Sequence, residues 1–470
     1  MARSRPRAST SSAEDEGTRF LLFPQAPAAA PDRPPVRVAV AVPPEAIEPG
    51  PGDDRMYVVD PIGRRHRYGV SLGPRGRLVE RYPPWLGAVW PPTTCGPDGH
   101  FDGLSPLGPG FEAAHAFAAV RFCLEVWEGY LGRRLIWHFA RDYDRLEIIL
   151  NPELDNATAG WGFIELGAHF PEQGGPPLSF ALNFDVMAHE MGHLIVYATV
   201  GLPRPGAESG EYLGFHEAAA DLLALIAVAH LEPVVEELFA TSRGNLYLLN
   251  ELNRFAELSS SKEIRLASNA RRLDEFAAGW SDEHDLSEPL TGAVFDILVD
   301  MFHEALLDQG LITSLLEDLA DVAQDRPELE PLVQAGFDAA YARDPRGFRA
   351  AFALTRDRLG RYLAYVLDTL SPDRLGYADV GIALLQADAE ATGGRYARLI
   401  RNSLDWRGIG RVRVGPRLHE PDEGSHAHSV RTIVPNPTND RPGQAYSRRR
   451  DAARGSAVPA AWALQIHHGR

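Results

Sequence analysis

The chain has 470 residues, 44% of them hydrophobic, enough to bury cores for two or three domains. Its 64 acidic residues against 47 basic ones give a formal charge of −17, which disfavours attraction to nucleic acid and to anionic membrane surfaces. Two cysteines, Cys95 and Cys123, are too few for a disulfide framework or a cysteine-ligated zinc site.

In chain order, residues 1–34 are rich in Ala, Pro, Ser and Arg without hydrophobic periodicity, and are expected to form a flexible tail. No apolar core of signal-peptide length follows the first arginines, and no run reaches the roughly 18 apolar residues of a membrane span. The default expectation is therefore a cytoplasmic protein. Residues 35–109 hold short alternating runs such as Met56–Val59 and Tyr68–Leu72, cut by Gly and Pro, which read as small strands and turns. From Phe111 to Leu131 apolar residues recur at helical spacing, and Gly132 stands where a helix would stop. Strands are expected at Leu135–Phe139, Leu146–Leu150 and Gly160–Leu166.

A second helical pattern runs from Asp185 to Val200 and ends at Gly201. Beyond it the sequence turns almost wholly helical, with runs at 215–230, 233–241, 246–258, 291–309, 312–324, 329–341, 346–370, 380–390 and 395–402. After residue 410 the composition again suggests a disordered tail. These readings give an α+β architecture, with a mixed lobe over 110–205 and a mainly helical lobe over 206–410.

The segment carrying chemistry is His189-Glu190-Met-Gly-His193, an HExxH motif inside a helix expected on independent grounds. Histidines four apart share one helical face, so both imidazoles reach one zinc ion while Glu190 projects toward a metal-bound water as general base. In a chain with 16 histidines the motif arises by chance often enough that a third ligand is required. Glu217 supplies one, because Glu217 and Asp221 stand four apart on an otherwise apolar helix, where carboxylates are costly to bury without partners. Asp221 then reads as the acceptor for a ligand histidine's other N–H. His216 lies about 100° round the helix from Glu217 and is expected to pack or make a polar bond rather than bind metal.

These residues resemble the thermolysin-like zinc metallopeptidases, a likeness strengthened by Asp185-Val-Met-Ala before the motif, Gly201-Leu202 after it, and Glu217-Ala followed by Asp221. The resemblance covers roughly residues 110 to 410. It implies a two-lobed zincin fold with a cleft between the lobes, zinc as cofactor, peptide or protein as substrate, and Asp185 as a support for the ligand helix. It further implies that the Asn156-Ala157 segment bonds the substrate backbone, and that His284, in His284-Asp-Leu-Ser-Glu-Pro-Leu-Thr291-Gly292, stabilises the oxyanion. Arg204 stands where the family has a tyrosine that assists the oxyanion, with Tyr212 as a substitute, and Arg265 is a loose match for the family's substrate-binding arginine. A different reading keeps the zinc but makes the chain a binding or self-processing module. A third makes the zinc purely structural, which needs a fourth protein ligand.

Overall fold

The computed structural model describes residues 17–418 except 29, 65, 73–77, 151–153, 171–176, 247–253 and 256–264. The first strands are β1 (Thr18–Leu22), β2 (Val36–Val40), β3 (Met56–Val59), β4 (Gly69–Leu72) and β5 (Leu78–Arg81), followed by helix α1 (Phe111–Leu131). Next come β6 (Leu146–Leu150), β7 (Ala157–Gly160), β8 (Phe163–Leu166), β9 (Ala168–His169) and β10 (Leu178–Ser179), then α2 (Phe184–Thr199), α3 (Gly210–Val228) and α4 (Glu232–Ser242). After the short pair β11 (Arg254–Phe255) and β12 (Arg265–Leu266), the chain is helical: α5 (Glu283–Asp308), α6 (Ser314–Asp325), α7 (Glu330–Arg343), α8 (Pro345–Thr369), α9 (Tyr377–Thr392) and α10 (Ala397–Trp406).

The chain divides into two units, Met1–Glu125 with Phe139–Met187, and Val126–His138 with Ala188–Arg470. The boundary therefore falls inside α2 rather than at residue 205, and the end of α1 groups with the helical unit. Within that unit the Trp127 indole donates to the Leu223 carbonyl at 3.1 Å, a tie that sequence periodicity cannot show.

In the first unit the main sheet has the order β3-β6-β8-β7, with β3, β6 and β8 parallel and β7 antiparallel at the edge. Every residue of β6 and β8 is buried, Glu147 and Glu165 included. Glu147 accepts from the Tyr57 and Tyr68 hydroxyls and the Trp85 N–H, while Glu165 accepts from Arg64 and the Tyr68 N–H. Both carboxylates are thus satisfied, as buried charges must be.

Several expectations need correction. The segment 1–34 is not a tail throughout, because β1 pairs with β2 and its alternate residues Phe20 and Leu22 are fully buried, Phe20 stacking on Phe101 at 4.8 Å. Residues 1–16 and 419–470 of the two expected tails lie outside the described residues. Leu135–Phe139 forms no strand: Leu135 and Trp137 are buried and Ile136 is exposed, an alternation that reports burial without a pairing partner. The Gly160–Leu166 run is the end of β7, a turn at Trp161-Gly162, and β8. Most of the expected helix at 246–258 lies outside the described residues, and its Arg254–Phe255 part is a strand paired with β12.

In the second unit α5 packs against α3, α8 and α10. Arg407, just past α10, is wholly buried and bonds Asp296 of α5 at 2.9 Å, the Asn269 side chain and the Asn269 and Arg271 carbonyls. Spreading one guanidinium over four acceptors uses the fixed fork geometry of arginine and clamps α5 to the segment before it. Among the described residues no single helix is long and apolar enough to cross a membrane.

His115, on α1 in the first unit, is fully buried and accepts the Phe23 N–H at Nε2 over 2.8 Å. Burial pushes its imidazole down from 6.5 to about 4. The folded value lies below the unfolded one, so the unfolded chain takes up the extra proton between pH 6.5 and 4. Stability from this group is then complete above pH 6.5 and falls as pH drops toward 4, by up to about 3 kcal/mol. Denaturant titrations from pH 7 to 4 should show a shallower loss for His115→Leu, whose own penalty shifts the curve without tilting it.

Candidate metal centre

Three helices of the second unit bring their polar side chains together. Helix α2 carries His189, Glu190 and His193, α3 carries Glu217 and Asp221, and the first turn of α5 carries His284. The start of α3 is fixed by Ser209, whose side chain accepts the Tyr212 N–H at 3.0 Å. Asp282 caps α5 in the same way, accepting the His284 N–H at 2.9 Å. Helix α5 therefore begins eight residues before the expected position, Thr291, with Pro289 inside it. Proline usually marks a helix boundary, and here it misplaced one.

Two glycines set the close approach. A Cβ on Gly192 would lie 2.7 Å from the Ala220 Cα, so α2 and α3 touch at the residue before His193. A Cβ on Gly214 would lie 2.2 Å from the Tyr377 hydroxyl and 3.0 Å from the Leu286 side chain, the point where α5 comes down on α3. The Tyr377 hydroxyl donates to the Leu286 carbonyl at 2.7 Å and fixes that contact.

At the centre is Glu217, 4% exposed. The Nε2 atoms of His189 and His284 lie 3.4 and 3.3 Å from its Oε2, and His193 Nε2 lies 3.7 Å from its Oε1. Burial raises the affinity of this carboxyl for a proton, but His284, His193 and His189 together outweigh burial and hold it well below the usual carboxylate range. Each ring is also gripped from behind. His189 Nδ1 meets Asp221 at 2.8 Å, His284 Nδ1 meets Asp282 at 2.8 Å, and His193 Nδ1 meets His216 Nδ1 at 2.7 Å. A proton held on Nδ1 by such a partner leaves Nε2 free to bind a cation.

His189, Glu190 and His193 bring ligand atoms within 4.8 Å of one another, a group able to hold a metal ion. Glu217 closes the third side. Tetrahedral zinc with bonds near 2.0–2.1 Å separates its ligand atoms by about 3.4 Å, close to the Glu217 spacings of 3.4 and 3.7 Å. Glu217 Oε2 is buried and faces two imidazole nitrogens at 3.4 and 3.3 Å, an acceptor with lone pairs to offer a cation. The residues present therefore fit a cation held by His189, His193 and Glu217.

The remaining expected site residues behave differently. Asp185 lies in the first turn of α2, within the first unit. Asn156 is buried just before β7, and Ala157 opens that edge strand opposite Leu166, also in the first unit. Tyr212 is not free for an oxyanion, because its hydroxyl donates to the Gly201 carbonyl at 2.9 Å. Arg204 points outward onto Asp373, and Arg265 lies on β12 paired with Phe255.

Sequence reasoning missed Asp282, legible only as a cap two residues before His284; His216 packs and makes a polar bond as expected, but sequence did not name His193 as its partner. It also missed Tyr197, one helical turn past His193. Burial, with Glu217, Glu190 and Glu208 nearby, pushes the Tyr197 hydroxyl up to about 12.

No family model matches the chain, and a search of curated proteins returns no match.

Gly192→Ala should force α2 and α3 apart, costing about 1–3 kcal/mol of stability and weakening metal binding, since His193 is the next residue. Paired denaturation curves with and without zinc would read both effects; an unchanged variant would show that the helices can yield at this point. Asp221→Asn should weaken zinc binding about 10–100-fold by loosening His189, measurable by competition with a chromogenic chelator.

Proposed function

We propose that the protein is a zinc-dependent peptidase, with His189, His193 and Glu217 holding the metal and Glu190 acting as general base. The observation carrying this reading is the buried Glu217 carboxylate, met by imidazole nitrogens from α2 and α5, with Glu190 adjoining the first of those imidazoles. Zinc bound there would supply a Lewis acid and water acidified to near neutral pH.

The chain's own residues account for the rest. Glu190 is 5% exposed and stands beside His189, so its carboxylate is placed to act as the base. It takes the proton from the attacking water and passes it to the leaving amine. His284 is backed by Asp282, which stabilises its imidazolium form, so Nε2–H can donate to the oxygen that gains charge as the carbonyl is attacked. Asp221 keeps the proton of His189 on Nδ1 and its Nε2 aimed at the metal.

A second reading has one observation in its favour: His284 Nε2 lies as close to Glu217 as His189 does. With His284 as a fourth donor the zinc would be closed off and purely structural.

Digestion of casein and of a peptide library separates the two. The purified protein should bind one equivalent of zinc, lose cleavage on chelation and regain it with zinc. Glu190→Gln should keep the zinc and lose about 10²–10⁴-fold in turnover, the usual worth of a general base. His284→Ala should also keep the zinc while slowing cleavage by about 10²–10³-fold. Loss of zinc from His284→Ala, with no cleavage by the parent protein, would establish the structural site instead.

A further inference from the structure

We infer that His216 positions His193 for the metal, acting as a neutral hydrogen-bond acceptor in the place where the other two rings of the centre have a carboxylate. This rests on the metal-binding reading of the site and extends it to a residue that binds no metal itself.

The contact is an in-line bond between ring edges. The two Nδ1 atoms are 2.7 Å apart, the ring planes differ by 21°, and the centroids are 4.8 Å apart, close to the nitrogen separation plus two ring radii. Rings lying face to face at that separation would not bring these nitrogens so near. Only one proton fits between two nitrogens at this distance. His193 Nε2 faces Glu217, so in the neutral, metal-ready tautomer its proton sits on Nδ1 and is donated to His216. His216 must then keep Nδ1 bare and carry its own proton on Nε2.

His216 is built into the wall of the site. It is 6% exposed, the Tyr197 ring lies 4.4 Å from its ring, and the Tyr212 ring meets it edge-on at 5.8 Å. Tyr212 is itself anchored on the Gly201 carbonyl, and His138 packs against Tyr197 at 5.0 Å. Neighbouring residues of α3 thus do different work: Glu217 offers an oxygen to the cation, and His216 turns the imidazole of α2 toward the same point. The aromatic residues around His216 hold its ring, so little conformational freedom remains to be lost when the metal binds.

The test compares His216→Phe, which keeps a flat ring without an acceptor, with His216→Asn, whose side-chain oxygen stands where Nδ1 stood. His216→Leu is a second acceptor-free variant should the phenylalanine protein not fold. Zinc affinity is read by chelator competition, the geometry of the centre by the visible absorption of the cobalt-substituted protein, and folding by thermal unfolding without metal. The acceptor-free variants should bind zinc about 10–100-fold more weakly with an altered cobalt spectrum, and His216→Asn should recover most of the affinity and the parent spectrum. Parent-like zinc binding by the acceptor-free variants, or equal impairment of all three, would overturn the inference and leave the metal site standing. Failure of the parent protein to bind zinc or cobalt would instead sink the metal reading, and this inference with it.

Discussion

A carboxylate on a helix whose other residues are nearly all buried and apolar is expensive to keep ionised, since moving such a charge out of water costs several kcal/mol even after relaxation. Helix α3 carries two of them, Glu217 and Asp221, within one turn. Asp221 is answered by His189, and Glu217 by imidazoles on α2 and α5. The convergence of three helices on one buried anion is what the rest of the second unit has to maintain. A buried ionic cluster of this kind is by itself weak evidence of added stability.

Maintaining it depends on contact distances that allow no extra atoms. Gly192 lets α2 rest on Ala220, and Gly214 lets Leu286 and Tyr377 rest on α3. Farther along α5, the buried Arg407 guanidinium holds Asp296 and the Asn269–Arg271 segment. The guanidinium thereby limits how far the first turn of α5, with His284, can drift from Glu217. Caps at Ser209 and Asp282 complete the arrangement by fixing where α3 and α5 begin. Asp282 serves twice, since the oxygen that caps the helix also takes the His284 Nδ1 proton.

Much of this was legible in the sequence, for physical reasons that also mark where legibility ended. Helices α1 and α2 follow from 3.6-residue periodicity closed by Gly132 and Gly201, and the spacing His189-His193 with Glu217-Asp221 is a property of single helix faces. The strand expected at 135–139 failed because alternating burial needs no ladder. The start of α5 was missed because Pro289 sits within a helix whose cap lies seven residues earlier. The partners behind the rings were the least legible. Asp221 could be guessed as a carboxylate one turn from a ligand, whereas His216 becomes a partner of His193 only when α2 and α3 lie against each other. Tyr212 reads as available from sequence and is committed to Gly201 in space.

The composition of this cluster also constrains its charge. Glu217 is held ionised by the imidazoles around it, and Glu190 and Asp221 stand close by, so the centre concentrates carboxylates among three imidazoles. A divalent cation held there would supply the positive charge this cluster calls for, and its binding would release protons. A third carboxylate behind His193 would make the centre more negative, raise the proton affinity of every ring and put protons in stronger competition with the metal. A neutral imidazole at 216, as inferred above, would orient His193 without that added charge. The two helix histidines thus differ in what backs them, a carboxylate behind His189 and an imidazole behind His193, a difference set where the helices pack around one buried carboxylate.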